Sequence, residues 1–274
     1  MDAAKQQVHE FWDKVSCGEQ LYLSGSGKAS YIEQGRIRYE LEPYILDFAS
    51  FDAGRDLDVL EIGVGLGADH QRYAEAGARL RGIDLTQRAI DYTRKRLELF
   101  DLRSELQLGD AEDLVFRDET FDVVYSWGVL HHSPNTQKAV EEVQRVLRSG
   151  GVAKIMIYHK WSFVGIMLWL RYALLRLRPF TSLSDIYASH LESPGTKAYS
   201  VAEARSLFRN FRSVDIRTVL THGDLLSSQA GQRHGGILLH VARRVWPRGL
   251  IKLFFPRNAL LVKIYWVWST TSLQ

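Results

Sequence analysis

One cysteine, Cys17, stands in the whole 274-residue chain, so no internal disulfide and no thiolate metal cluster can form. That fits a reducing compartment and excludes a disulfide scaffold. A large net charge is missing too. The 35 Lys and Arg against 32 Asp and Glu leave +3, too little to argue for a nucleic-acid partner. The first residues, MDAAKQQVHEFWDK, are charged throughout and lack the apolar h-region of a secretory signal, so a cytoplasmic location is expected. Internal repeats and low-complexity tracts are absent. With 46% hydrophobic and 24% charged residues, the chain is neither disordered nor fibrous. It is long enough for one large domain or two small ones.

From Leu57 to about Tyr158, short β-branched runs alternate with segments of helical period. Candidate strands are residues 56–63, 78–84, 105–110, 121–127 and 151–159, with later ones at 213–221 and 259–268. The β-α-β-α rhythm with short connections predicts an α/β fold, a mostly parallel seven-stranded sheet of doubly wound, Rossmann-like type. Thr86 and Asn135 are candidate helix N-caps, and Gly150-Gly151 reads as a helix stop. Ser200 and Glu203 read as a capping box opening a helix that ends near Phe211. The expected organisation is an N-terminal helical cap (1–50), an α/β core (51–160), a cap insertion (161–200), and a core-completing part (201–274) carrying an insertion at 222–258.

The most informative stretch is VLEIGVGLGAD (59–69), a buried strand entering a glycine turn that opens a helix. Gly63, Gly65 and Gly67 let the backbone approach a ligand closely. The same spacing satisfies a dinucleotide fingerprint, with Asp84 at the distance of a ribose-binding acid, so the glycines alone leave two cofactors open. Three acids narrow the choice. Glu61 sits two residues before Gly63, where a buried carboxylate calls for a donor such as a bound amino group. Asp84 ends the second strand, where its oxygens can accept both ribose hydroxyls. Asp110, followed by Ala111, ends the third, placed for the amino group of an adenine. All stand at carboxyl ends of strands, where open α/β sheets bind ligands.

The ordered set VLEIGVGLGAD, GIDLT, GDAEDLVF, FDVVYSWGVLHHSP and VLRSGGVAKIMIYH resembles the class I S-adenosylmethionine-dependent methyltransferases over roughly residues 57–159. The resemblance implies S-adenosylmethionine as cofactor. Glu61 and the glycines would hold its methionine part and sugar edge, Asp84 with Leu85 the ribose, Asp110 and Ala111 the adenine, and Ser126 and Trp127 the far side of the sulfonium. SYIEQGRIRYELEPYI and HLESPGTKAYS resemble a small-molecule subgroup in which an N-terminal helix covers the cofactor, which makes Tyr31 and Arg38 candidate contacts.

A methyl group on a positively charged sulfur is already activated, so no metal is needed to release it. The enzyme must supply in-line positioning, a dry pocket and, for many acceptors, a base. Histidine is the natural base near neutral pH. His131 and His132 follow the fourth strand, and Tyr158 and His159 end the fifth, so these four are the candidate catalytic groups. Cys17 has no neighbouring cationic motif and is a poor nucleophile candidate. Neither an Asn/Asp-Pro-Pro-aromatic turn nor a cysteine follows the fourth strand, which disfavours nucleobase methylation. Expected is transfer to a small molecule, with O-methylation favoured over N- or C-methylation.

Residues 161–170 are almost wholly apolar and are followed by Arg171, Arg176 and Arg178. The run falls short of the roughly 20 residues that span a bilayer. A core-packed cap helix, the wall of a pocket for a bulky or lipophilic acceptor, and a membrane-surface helix all remain open. Residues 237–255 interleave basic and aromatic residues in the same way. Charge follows this division. Residues 171–257 hold 14 Lys and Arg against 5 Asp and Glu, a net of +9, and the rest hold 21 against 27, a net of −6. Alternatives from other classes are a catalytically silent cofactor-fold protein that docks on a membrane or partner, an RNA methyltransferase, and an NAD-dependent enzyme.

Overall fold

The computed structural model describes residues 2–226, together with Arg244, Trp246, Arg248 and Gly249 and the backbone of residues 264–270. The predicted rhythm forms one seven-stranded sheet in the order β3-β2-β1-β4-β5-β7-β6. Its strands are β1 (Asp58–Ile62), β2 (Arg79–Asp84), β3 (Glu105–Leu108), β4 (Phe121–Trp127), β5 (Leu147–Tyr158), β6 (Ser213–Val219) and β7 (Ile264–Thr270). β1 to β5 pair in parallel, and β7 runs antiparallel between β5 and β6. From β1 the chain winds outward to β2 and β3, then returns to the far side with β4. The order therefore reverses between β1 and β4, opening a crevice at the carboxyl ends of those strands.

Strand alternation explains why both faces are covered. Leu60, Ile62 and Val124 point into one core with Phe121, Val140, Val143 and Phe208. Val59, Val123 and Tyr125 point the opposite way, into a second core with Ile45, Phe51 and Tyr73. The first core is closed by α7 (Thr136–Val146) and α10 (Val201–Leu207), the second by α4 (Tyr44–Ala49) and α5 (Ala68–Glu75). Around these lie α1 (Ala3–Lys14), α2 (Glu19–Tyr22), α3 (Lys28–Leu41), α6 (Gln87–Leu99), α8 (Phe163–Tyr172) and α9 (Leu183–His190).

The local start signals hold. Thr86 caps α6 by accepting from the Ala89 N–H, Asn135 caps α7 through Lys138, and Ser200 with Glu203 forms a complete capping box on α10. Two stops differ. α7 ends at Val146 and β5 begins at once, so Gly150-Gly151 lies inside the strand. There the register against β4 jumps from Phe121↔Leu147 to Val123↔Val152. Gly150, at φ 80°, absorbs the extra residues as a bulge. α10 ends at Leu207, before Phe211. Of the last predicted strand, 259–268, residues 264–268 are strand and the strand runs on to Thr270, while residues 259–263 fall outside the described residues, as does most of the insertion at 222–258. Among the described residues no helix is long and apolar enough to cross a membrane.

Candidate active site

Above the carboxyl ends of β1, β2 and β4 lies a cavity of ≈ 720 Å³, within the range that ligand sites span. Its floor is the glycine turn after β1. Gly63 has φ 83°, and a Cβ there would stand 2.2 Å from Val129 Cγ2. Gly65 has φ 52°, and nothing lies within 4 Å of where its Cβ would be. The first glycine is thus demanded by packing and the second keeps open the space a ligand would enter. Behind the turn, Arg96 of α6 is almost fully buried and donates to the Leu66 carbonyl and to Gln71 and Gln34.

Of the predicted cofactor residues, Arg38, Glu61, Gly63, Gly65, Gly67, Asp84, Leu85, Asp110, Ala111 and Trp127 line this cavity together. Tyr31 does not. It is buried under the Arg96 guanidinium, 4.8 Å from its ring centroid, because α3 needs a partner on α6. Ser126 does not either, since strand alternation turns it inward and its hydroxyl donates to the Ile62 carbonyl, tying β4 to β1.

The acids are more committed than the sequence implied. Asp84 Oδ1 accepts from the Thr86 amide and hydroxyl and Oδ2 from the Gly65 N–H at 3.3 Å, so the carboxylate braces the glycine turn it faces. Asp110 Oδ2 is paired at 2.5 Å with Lys5 of α1, which also reaches Glu112 at 2.9 Å. An N-terminal helix therefore closes over the site expected for adenine. Arg38 clasps Asp69 with two hydrogen bonds of 3.0 and 2.6 Å, and Tyr39 and Tyr125 hydroxyls donate to the same carboxylate. Burial alone would raise the Asp69 pKa, but Arg38 and these donors hold it below the ordinary value.

Glu61 was expected to await a bound amino group, and the fold instead supplies His70, whose Nδ1 lies 2.8 Å from Glu61 Oε2. The proton can be followed. Ser104 Oγ donates to the Leu80 carbonyl, so it accepts from His70 Nε2–H. Burial holds His70 down at about 3 and pushes Glu61 well above the carboxylate range. Glu61 accordingly carries the proton and donates to Nδ1 of a neutral imidazole.

The opposite wall gathers the predicted catalytic groups around a residue the sequence reading assigned no role. Tyr158 donates to Glu192 Oε2 at 2.8 Å, and His132 Nε2 lies 3.3 Å from the same oxygen. His132 Nδ1 is 2.8 Å from Ser193 Oγ and 3.1 Å from Thr196 Oγ1, and the Trp12 ring meets the imidazole edge to face. Both nitrogens of His132 thus face protein groups. Glu192, His132, Tyr158 and His159 line the cavity, and His131 lies behind them, its ring tilted 41° against that of Tyr158 at 4.0 Å. Neither His131 ring nitrogen has a hydrogen-bond partner among the described residues. The segment HLESPGTKAYS contains Glu192, Ser193 and Thr196, but spacing alone did not bring them to His132. Cys17 also lines the cavity and does not stand apart from it. Its side chain opens onto that space, yet burial first and Glu192 second push the thiol up to about 12, so it stays protonated at neutral pH.

Two of these histidines set a pH dependence. Burial holds His159 down at about 4 and His131 well below 6.5. Unfolding frees both to bind protons, so their stabilising contribution is full above pH 6.5 and is lost as pH falls below it. Glu61 and His70 hold one proton between them when folded. The unfolded pair binds about one proton near pH 5 but only about half a proton at pH 6.5, so it adds little slope at the acid end of this range and partly opposes the two histidines at its upper end. Thermal melts from pH 6.5 to 5 should show stability falling by up to about 1.4 kcal/mol per pH unit for each histidine. His159→Gln should flatten the profile, and an unchanged slope in that variant would count against the assignment.

Residues 60–155 match the family model described as Methyltransferase domain. Phosphoethanolamine N-methyltransferase 2 of Caenorhabditis elegans is 34% identical over 115 residues, 41% of this chain and 26% of that protein. The probable phthiotriol/phenolphthiotriol dimycocerosates methyltransferase 2 of Mycobacterium ulcerans is 31% identical over 188 residues, 68% of this chain and 61% of that protein. Among solved structures, phosphoethanolamine N-methyltransferase 2 of Haemonchus contortus, in complex with phosphomonomethylethanolamine and S-adenosylhomocysteine, has a TM-score of 0.61. At 14% identity over 97% of this chain and 60% of that chain, it shares the fold. The chain spans between 26% and 62% of the length of the first curated relatives it matches. The ordered motifs, the strand order around the crevice and the family match together identify residues 60–155 as a methyltransferase domain of the class I S-adenosylmethionine-dependent type.

Proposed function

We propose that this chain transfers a methyl group from S-adenosylmethionine to a hydroxyl oxygen of a bulky, lipophilic small molecule. The observation that carries the reading is one cavity with two unlike walls. On one side stand the glycine turn, Asp84, Asp110 and Trp127, and on the other Glu192 held by Tyr158 and His132. The first wall fits the cofactor, since Gly65 leaves room for a ligand against the backbone and Asp84 faces that room. When bound, the cofactor supplies a methyl group on cationic sulfur, activated without a metal. The chain's own work is positioning and proton removal. Trp127, stacked on Tyr44, walls the far side of the methyl donor. Glu192 takes the proton leaving the acceptor hydroxyl, and His132 and Tyr158 orient its carboxylate from one side. This arrangement gives His132 a supporting place beside the base. His159, with its basicity lowered by burial, lines the acceptor side.

A lipophilic acceptor is favoured by the apolar remainder of the lining, among it Val8, Phe11, Trp12, Met156, Met167 and Leu168. The Mycobacterium ulcerans relative, named for phthiotriol dimycocerosates, supports the same class. Titration calorimetry with S-adenosylhomocysteine should give saturable one-site binding. No heat at millimolar ligand would overturn the reading.

A further inference from the structure

We infer that α8 and the turn after it dock the chain on an anionic phospholipid bilayer, so that a lipophilic acceptor passes from the lipid into the cavity. What enters the cavity rests on the methyl-transfer reading, but the docking itself does not.

α8 is apolar on every side, while only one side of it is used by the core. Ser162 caps it, and Gly165 allows its close approach to α9, where a Cβ would meet the Tyr187 hydroxyl at 1.8 Å. Leu168 packs with Ala173 and Ile186. Ile166, Leu170 and Leu174 are left exposed, and beyond them Leu175 is 71%, Leu177 90% and Phe180 100% accessible. Single exposed leucines are ordinary, but six large apolar side chains within fifteen residues are not. Leu170 and Leu175 also line the cavity, so the exposed patch is continuous with its rim.

Charge names the partner. Residues 160–184 contain Lys160, Arg171, Arg176 and Arg178 and no acid. The guanidinium groups of Arg171 and Arg176 sit over the Tyr172 ring at 5.1 and 5.2 Å, which places two cations at the level of an aromatic ring beside the apolar patch. Lys160 is engaged with Glu203. Residues 225–274 carry seven Lys and Arg and again no acid. Trp246 from that stretch packs edge to face on Phe163 at the start of α8. Apolar side chains that enter the acyl boundary, flanked by cations and aromatic rings at headgroup depth, are what an interfacial helix needs. An acidic protein surface would meet the arginines but leave Leu177 and Phe180 without lipid to enter.

The test uses the full chain and sucrose-loaded vesicles of phosphatidylglycerol or of phosphatidylcholine. The protein should co-sediment with the phosphatidylglycerol vesicles at least about tenfold more strongly than with phosphatidylcholine, and raising salt to about 0.5 M should weaken the binding. The double variant L177D/F180D should lose binding at least about tenfold while its melting temperature stays at the wild-type value. Leu177 already has φ 56°, a conformation aspartate tolerates. Arg178→Gln gives a second, milder loss. Equal binding to both lipids, no binding to either, or full binding by L177D/F180D would each overturn the inference. Calorimetry with S-adenosylhomocysteine on the same preparations separates the two readings, because vesicle binding without cofactor binding would overturn only the methyl-transfer reading.

Discussion

Gly63→Ala is expected to cost the fold roughly 2–5 kcal/mol, whereas Gly65→Ala should leave the fold largely intact and remove cofactor affinity. The two glycines differ by two positions and share a left-handed backbone, so strain alone, about 1–2 kcal/mol, does not separate them. Their surroundings do. A methyl group on Gly63 would fall 2.2 Å from Val129 Cγ2, and Val129 packs against the main core. Relief requires β4's following turn to move, which costs about 1–3 kcal/mol more. At Gly65 nothing stands within 4 Å, so the added methyl meets only the space that a cofactor would take. Affinity for S-adenosylhomocysteine should fall by about 10- to 100-fold, or about 1.4–2.7 kcal/mol. Thermal melts with and without the ligand measure both effects. A Gly65→Ala protein that binds as tightly as the wild type would show that the ligand does not lie against this turn.

Glu192→Gln should lower turnover by about 10²- to 10⁴-fold with unchanged affinity for S-adenosylhomocysteine. Glutamine keeps the shape of the side chain and can still accept from Tyr158, so the wall of the cavity persists. What disappears is the capacity to take a proton. Tyr158→Phe removes one hydrogen bond to Glu192 Oε2 and leaves the carboxylate, so its effect should be far smaller, about tenfold. The ordering matters more than either number. Transfer of a labelled methyl group to hydroxylated lipophilic acceptors provides the assay, and Glu192→Gln activity within a few-fold of wild type would assign catalysis to proximity alone.

The order of these effects shows where the sequence was legible. Every motif of the resemblance that had to converge at strand ends does so, except Ser126. The glycine turn, Asp84, Leu85, Asp110, Ala111 and Trp127 meet in one cavity because parallel strands with short loops leave all their carboxyl ends on one edge. Ser126 and Tyr31 failed for a common reason. Each belongs to the right segment, but the alternation of a strand and the face of a helix turned its side chain away. His131 and His132 are adjacent in sequence and divided by the same geometry, with one facing the cavity and the other sealed behind Tyr158. Nothing in HHSP distinguishes them.

Partners that come from far along the chain were the least visible. Lys5 meets Asp110 across 105 residues, Arg38 meets Asp69 across 31, and Tyr158 meets Glu192 across 34. A charge at long range has no periodicity to announce it, since pairing depends on where two independent elements land. The sequence by itself determined the alternating strands and helices, the glycine turn, the capping of α6, α7 and α10, and the cofactor class, because these rest on local backbone preferences and on ordered motifs. Only the tertiary structure decided which acids remain open to a ligand and which are already paired, that Glu61 holds a proton against His70, and that Glu192 meets Tyr158 and His132 at the cavity wall. Burial is the physical reason. It sets charge states and exposes or hides side chains by packing distant segments together, and no window of neighbouring residues contains that information.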